Sequence, residues 1–209
     1  MKRASLEFFF DLSSPWTYLA FHNLRKHLTE ARGDVDTAPE LVWRPILVGG
    51  VFNAVNREVY ASRQNPDHPK VRHVFTWLLD WAALANLPMN FPSPHHPLKA
   101  VLPMRVCCAL EHDQEALESF MARAFETYFR DQENLDDPGV VASVATACGL
   151  DGAALVAQAA EQSIKDRLRS NTDEAIERGA YGSPTMFVNR DRMYFGNDQL
   201  PLVIRGITA

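Results

Sequence analysis

A short apolar run that passes directly into a helix start most constrains the fold of this chain. Residues Leu6 to Tyr18 read as a buried strand followed by the first turn of a helix, with Ser14 and Pro15 at the junction. Serine is a preferred N-cap, and proline is favoured at the first helical position because its fixed φ suits the helix. We therefore predict that Ser14 lies at a helix N-terminus, where unpaired N–H groups and the helix dipole favour an anion.

Composition narrows the classes of function. The 209 residues are 46% hydrophobic, enough to bury a sizeable core. The net charge of -5 argues against non-specific nucleic-acid binding, because neutralising phosphates requires a basic surface. No apolar run is long enough for a bilayer span or a secretory signal, so we expect a cytoplasmic protein with no membrane partner. The seven histidines form no ligand pattern, so we expect no metal.

The three cysteines are Cys107, Cys108 and Cys148. They lack C-x-x-C or zinc-ligand spacing, and we expect them to be buried small apolar residues. Redox chemistry through the vicinal pair Cys107 and Cys108 remains an alternative.

Both ends of the chain have strand patterns, and the middle has helical ones. Residues 41–48 predict a second strand, which Gly49 and Gly50 would close. A long helix near residues 163–178 precedes a β-hairpin and a short C-terminal helix. We predict an α/β fold in which a small domain of residues 1–50 and 163–209 is interrupted by a helical insertion of residues 51–162.

The strongest helical pattern in the insertion is an apolar stripe that we assign to the core. Its members are Leu117, Phe120, Met121, Ala124, Phe125, Tyr128 and Phe129.

Three blocks of motifs occur along the chain. Each motif alone is weak evidence for a family, but their order and separation together are specific. The blocks are Phe10-Asp11-x-x-Ser14-Pro15-Trp16-x-Tyr18; Arg44-Pro45 with Gly49-Gly50-Val51-Phe52; and Gly182-x-Pro184-Thr185 with Phe195-Gly196-Asn197-Asp198. The chain thereby resembles the kappa-class glutathione transferases and 2-hydroxychromene-2-carboxylate isomerases, in the DsbA-like branch of the thioredoxin superfamily. The resemblance implies a thioredoxin-like domain interrupted by an all-helical insertion domain, glutathione as cofactor, and a homodimer.

Ser14 takes the place that a reactive cysteine holds in disulfide oxidoreductases of this fold, and Thr17 that of its resolving partner. A hydroxyl cannot form a mixed disulfide, so this pair cannot exchange disulfides. The sulfur would come from glutathione, whose thiolate is the anion that the resemblance places beside Ser14. An ordinary N-cap is the alternative reading of Ser14, and a covalent serine nucleophile is a weaker one because the chain lacks a G-x-S-x-G elbow there.

Rough energies agree with thiolate stabilisation by a hydroxyl and a helix end. Lowering a thiol pKa from about 8.5 to about 6.5 needs roughly 2.7 kcal/mol. A partly buried helix terminus supplies up to about 2 kcal/mol, and a hydrogen bond to a charged group roughly 1.5–3 kcal/mol. Together they suffice without a basic side chain.

The resemblance also assigns residues to the two ligands. Those expected to contact glutathione are Ser14, Pro15, Trp16, Asn56, Ser183, Pro184, Asn197 and Asp198. Pro184 would be a cis-proline, and Ser183 before it would offer its backbone to the cysteinyl residue. Those expected near a small aromatic carboxylate substrate are Trp16, Phe52, Arg57 and Lys70. Helix capping, a turn proline, core packing and solvated charges are the structural alternatives for these residues.

We therefore expect a glutathione-dependent isomerase acting on 2-hydroxychromene-2-carboxylate-like aromatic acids. A kappa-class transferase or peroxidase on the same site is the first alternative. A non-catalytic thioredoxin-like module that binds peptides along the cis-proline edge is the second.

Overall fold

The computed structural model describes residues 3–30, 39–60 and 69–208, and it confirms the α/β class. The strands within these residues are β1 (Ser5–Phe10), β2 (Glu40–Pro45), β3 (Thr185–Val188) and β4 (Arg192–Phe195). They form a sheet in the order β2-β1-β3-β4. Strand β1 pairs in parallel with β2 and antiparallel with β3, and β3 and β4 form the predicted hairpin.

The helices lie mostly between β2 and β3 along the chain. They are α1 (Pro15–Glu30), α2 (Val48–Val55), α3 (Pro69–Leu84), α4 (Val101–Ala109), α5 (Gln114–Phe125), α6 (Pro138–Ala147), α7 (Gly152–Gln158), α8 (Gln162–Glu177) and α9 (Leu200–Thr208). A π-helical turn, Glu126–Arg130, continues α5, and a 3₁₀ turn, Asn197–Gln199, precedes α9. None of the helices in the described part of the chain is long and apolar enough to cross a membrane.

Strand β1 lies in the interior of the sheet and is covered on both faces. Phe8, Phe9 and Phe10 are all fully buried, which explains why the second half of the strand is continuously apolar instead of alternating. The ring of Phe8 packs edge-on against Trp43 of β2, and the ring of Phe9 packs edge-on against Phe187 of β3. Burial thus fixes β1 between the other two strands.

The predicted stripe on α5 and its π-helical continuation is confirmed as core. All seven of its members are fully buried. Tyr18 of α1 stacks on two of them, Phe125 and Phe129, with ring centroids 5.2 Å and 5.3 Å away. This contact fixes the first turns of α1 against the helical part of the chain.

The second strand is shorter than predicted. It ends at Pro45, and Gly49 and Gly50 lie inside α2 instead of closing a strand. Distant side chains supply the acceptors that turn the chain here: Leu47 N–H donates to Thr172 Oγ1, and Val48 N–H donates to Asp11 Oδ2. Neither acceptor is close in sequence to residues 47–50. The sequence pattern therefore showed only the two glycines, which predict a turn and not a helix.

A half-buried ion network joins β1, β2 and α8. The guanidinium of Arg44 pairs with Glu7, Glu111 and Glu174, and Arg178 pairs with Glu7 and Glu174 in turn. Because each carboxylate here has at least one cation beside it, the charges are compensated where the sheet meets α8.

The division into two domains stays a prediction. Its expected boundary after residue 50 falls within α2. The largest cluster of buried side chains contains members from the sheet and from the helices that follow it.

We expect Phe125→Ala to lower the free energy of unfolding by about 3–5 kcal/mol, because it removes a buried ring that contacts Tyr18, Phe21 and Phe129. Urea denaturation followed by circular dichroism measures the change. Leu84→Ala is the matched control, since Leu84 is 74% exposed, and it should change the value by less than about 0.5 kcal/mol. Equal effects of the two substitutions would contradict the packing described.

Candidate active site

Ser14 is the N-cap of α1, as predicted. Its Oγ accepts the N–H of Thr17 at 3.2 Å, and its carbonyl accepts the N–H of Thr17 and of Tyr18. Pro15 occupies the first helical position and has no N–H to satisfy. The N–H of Trp16, the next donor of the first turn, meets no acceptor among the described residues. The end of α1 therefore offers a donor of the kind that binds anions.

The hydroxyl of Ser14 also reaches the opposite side of the cleft. It donates to the carbonyl oxygen of Ser183 at 3.1 Å. The Ser183–Pro184 peptide bond is cis, which is the isomer that the resemblance implied. Residues 169 positions apart thus meet at a helix N-terminus.

The side chain of Ser183 also bonds to neighbouring residues. Its hydroxyl oxygen accepts the N–H of Asp11 at 3.0 Å and lies 2.8 Å from Thr17 Oγ1. We call Ser14, Thr17 and Ser183 the hydroxyl cluster. Thr17 and Ser183 are buried, while Ser14 is half-buried, so Ser14 is the member that a ligand can reach.

Asp11 lies beside this cluster and is 1% exposed. Its Oδ1 accepts the N–H of Ser13 at 2.8 Å, and its Oδ2 accepts the N–H of Val48 at 2.7 Å. Burial raises the pKa of the Asp11 carboxyl, and the two backbone hydrogen bonds oppose that change.

Tyr18, Cys107 and Cys108 are neutral around pH 7. Burial, with a smaller contribution from Glu126, raises the pKa of Tyr18 to about 12. Cys107 and Cys108 are free and buried in α4, and burial raises the pKa of both thiols. A raised thiol pKa leaves little reactive thiolate, which weighs against redox chemistry through this pair.

Helix α2 approaches the cis-proline loop through Asn56. Its side-chain amide donates to the carbonyl of Tyr181 at 3.0 Å, two residues before Ser183. The ring of Phe52 packs edge-on against Tyr60 with centroids 6.3 Å apart. Arg57 is exposed, and its Nε donates to the carbonyl of Asn53 within the same segment.

Asn197 and Asp198 begin the last helical segment, as predicted. The N–H of Gly196 donates to the carbonyl of Pro184 at 3.2 Å, which ties this segment to the cis-proline. Asn197 is buried, and its side-chain oxygen accepts the amide of Asn23 from α1 at 2.8 Å. Asp198 is exposed and accepts the amide of Gln199. Asp198 is therefore the accessible member of the pair.

The structure joins most of the residues predicted to hold glutathione. Hydrogen bonds link Ser14 to Ser183 directly, Asn56 through the neighbouring Tyr181, and Asn197 through the adjacent Gly196. The half-buried ring of Trp16 packs against the main core. The ring of Phe52 contacts Tyr60 and the guanidinium of Arg57 bonds to Asn53, and neither of these contacts joins the two residues to Ser14. Lys70 lies in α3, and its side chain is outside the described residues.

Sequence reasoning assigned no role to Asp11, Asn23 or Tyr181. The signal for Asp11 was a charged residue directly after an apolar strand and three positions before an N-cap. Asn23 lies within α1 and Tyr181 in a loop, and local patterns do not distinguish either one from a surface residue.

Residues 3–30, 39–60 and 69–208 support neither a metal site nor a serine nucleophile activated by a histidine. Within these ranges no three histidine, cysteine, aspartate or glutamate side chains are placed to hold a metal ion. The hydroxyl of Ser14 bonds to a carbonyl and an N–H, and no described histidine bonds to it as a general base would.

A family model described as a DSBA-like thioredoxin domain matches residues 5–206. A 2-hydroxychromene-2-carboxylate isomerase of Sphingobium xenophagum is 26% identical to the chain, and the match covers 94% of each protein. Glutathione S-transferase kappa 2 of Caenorhabditis elegans is also 26% identical, over 96% of this chain and 90% of its own length. Both relatives carry the names of enzymes.

A solved structure of a 2-hydroxychromene-2-carboxylate isomerase superposes with a TM-score of 0.79. The superposition covers 97% of this chain and 93% of that one at 22% sequence identity. At this identity the likeness shows the fold, and it confirms the predicted DsbA-like thioredoxin fold.

We expect Ser14→Ala to fold and to lower the free energy of unfolding by about 1 kcal/mol, because it removes the N-cap hydrogen bond to Thr17. Urea denaturation measures the change. Ser143→Ala is the control, since Ser143 donates only within its own helix, to Gly139, and should change the value by less than about 0.5 kcal/mol. A Ser14→Ala protein as stable as its control would mean that the cap contributes nothing.

Proposed function

The chain belongs to the family of DSBA-like thioredoxin domains, and on that premise we propose that it is a glutathione-dependent enzyme. One observation carries the proposal: the hydroxyl of Ser14 lies at the N-terminus of α1 and bonds to the carbonyl of Ser183, before cis-Pro184. The position where a disulfide oxidoreductase needs a cysteine holds a hydroxyl, which cannot form a mixed disulfide but can donate a hydrogen bond to a sulfur that another molecule brings.

The described residues fit such a ligand. Ser14 is the half-buried, accessible member of the hydroxyl cluster, and the N–H of Trp16 is a second donor on the same helix end. Both favour a thiolate over a thiol, because each interacts more strongly with the charged form. Ser14 is in this proposal the catalytic residue, and its task is to hold the charge on the sulfur.

The hydrogen bond between Ser14 and Ser183 suggests how binding frees the proton of Ser14. The Ser183 carbonyl accepts that proton in the structure. The Ser183 carbonyl would also accept the cysteinyl N–H of bound glutathione, as a strand edge accepts an extended peptide. The Ser14 O–H then rotates toward the sulfur while its oxygen keeps the N–H of Thr17.

The remaining contacts would hold the two ends of glutathione. Asp198 is exposed beside the segment that Gly196 ties to Pro184, and its carboxylate suits the γ-glutamyl ammonium. The side chains of Asn56 and Asn197 already donate to or accept from protein groups. Asn197 is buried in this way, so we assign it to positioning the segment, and we expect Asn56 to contact glutathione only after releasing Tyr181.

We propose a 2-hydroxychromene-2-carboxylate-like aromatic acid as the substrate, on the resemblance to the named isomerase. When bound, glutathione supplies the nucleophilic sulfur whose addition and later elimination permit rotation about a former double bond. The chain supplies the aromatic faces of Trp16 and Phe52 and the cationic groups of Arg57 and Lys70 as candidate contacts for the ring and carboxylate.

Glutathione transfer or peroxide reduction on the same site is the second candidate, which the kappa-class relative favours. A homodimer, which the resemblance implies, and a cytoplasmic location, which the sequence led us to expect, stay part of the proposal.

Reduced glutathione at millimolar concentration should raise the melting temperature, because it binds only the folded chain. The bound thiol should show the ultraviolet absorbance of a thiolate at pH 7. Ser14→Ala should lower that absorbance roughly tenfold through loss of one hydrogen bond to a charged group, while Ser143→Ala should not. S-methylglutathione should bind without the thiolate band.

The absence of a melting shift with glutathione would refute the proposed cofactor. A shift combined with full thiolate absorbance in Ser14→Ala would remove Ser14 from the mechanism. Tight binding of unrelated peptides with no effect of glutathione would favour the non-catalytic module.

Product analysis distinguishes the two enzyme classes. With glutathione present, the protein should isomerise a hydroxychromene carboxylate without consuming glutathione, because the cofactor is returned at elimination. Conjugation of an aryl halide, with stoichiometric loss of glutathione and no isomerisation, would instead assign the chain to the transferases.

A further inference from the structure

Asp11 connects three separate parts of the candidate site. Its backbone N–H donates to Ser183 Oγ at 3.0 Å, and its carbonyl accepts the N–H of Ser14 at 3.2 Å. Its two carboxylate oxygens accept the N–H groups of Ser13 and Val48. One residue thus bonds to the turn before α1, to the cis-proline loop and to the start of α2.

The carboxylate is placed where only a hydrogen-bond acceptor fits. Asp11 is 1% exposed, and both of its oxygens face backbone donors, at 2.8 Å and 2.7 Å. None of the ion pairs in the described part of the chain includes Asp11. Burying a carboxylate without a cation is costly, and here two backbone N–H groups, of Ser13 and Val48, compensate the Asp11 oxygens.

We propose that Asp11 is a positioning residue of this site, which holds Ser14 and the N-terminus of α2 at the distance that the ligand needs. It acts through the backbone and does not touch the ligand. The bond to Ser13 fixes the turn that aims the Ser14 hydroxyl. The bond to Val48 starts α2, whose end places Asn56 against the cis-proline loop.

The positioning role of Asp11 and the negative charge of Asp11 predict opposite changes in the thiolate fraction of glutathione when the residue is replaced. The inference is therefore testable. An ionised carboxylate near a thiolate would raise the thiol pKa by repulsion, so removing its charge would increase the thiolate fraction. Loss of the Ser14 geometry would decrease that fraction. The functional part of the inference rests on the proposed glutathione site.

Asp11→Asn tests the inference because asparagine has the same shape but only one acceptor oxygen. Amide hydrogen exchange, measured without any ligand, should become faster in residues 12–18 or 47–52 or both. At saturating glutathione, the thiolate absorbance per bound molecule should fall roughly threefold or more at pH 7.

Asp136→Asn is the matched control. Asp136 likewise accepts two backbone N–H groups, of Lys99 and Ala100, both at 3.1 Å, and lies outside the hydroxyl cluster. Its substitution should speed exchange only near residues 99–101 and leave the thiolate absorbance unchanged.

Val48→Pro provides a second variant should Asp11→Asn fail to fold. Proline lacks the N–H that Asp11 accepts, yet it suits the first position of a helix, which Val48 occupies in α2. This variant frees α2 alone. It should weaken glutathione binding severalfold while the thiolate absorbance at saturation stays at the wild-type level.

The outcomes separate the two proposals. The positioning role would be overturned if hydrogen exchange in residues 12–18 and 47–52 were unchanged in Asp11→Asn. It would also be overturned if exchange in residues 47–52 of Val48→Pro stayed as slow as in the wild type. Either result would count regardless of how the variants bind glutathione. A higher thiolate fraction in Asp11→Asn would overturn it in favour of a purely electrostatic role. If the wild-type protein forms no glutathione thiolate, the proposed function fails, and the exchange data alone decide whether Asp11 holds the two segments.

Discussion

The central position of β1 is the constraint on which the rest of the structure depends. An apolar strand with both faces buried must have neighbours on either side, and here they are β2 in parallel and β3 antiparallel. Because β1 and β3 run in opposite directions, the end of one lies beside the start of the other. Ser14, after β1, therefore meets Ser183, before β3, across 169 residues of chain.

That meeting produces a site whose charge chemistry depends on dipoles and hydroxyls. The N-terminus of α1, the hydroxyl cluster and the backbone around cis-Pro184 supply donors and acceptors, and no lysine or arginine contacts Ser14 in the described ranges. Such a site can stabilise an anion that a ligand brings, which supports the proposed reaction, in which the protein mainly holds and orients the thiolate of glutathione. The fold alone would not decide this, because one fold can carry many unrelated functions.

Neighbouring residues at the start of α1 form both the hydrogen bonds of the site and the packing contacts of the core. Asp11 links the turn before α1 to α2, Thr17 links α1 to Ser183, and Tyr18 stacks α1 on Phe125. Tyr18 and Thr17 are neighbours in α1, so the same helix turn carries a core contact and a site contact.

The sequence by itself determined the elements with strong local signals. The apolar run Phe8-Phe9-Phe10 predicted β1, Ser14-Pro15 predicted the start of α1, and the stripe from Leu117 to Phe129 predicted a buried helix, because burial and capping leave direct marks on residue order. Only the tertiary structure decided where α2 begins, since Gly49-Gly50 is a poor helix former and its first N–H groups are satisfied by Asp11 and Thr172. The tertiary structure alone also decided the hydrogen-bond partners of Asn56 and Asn197. Contacts over more than a hundred residues depend on how the chain folds back, and that information is in no local stretch of sequence.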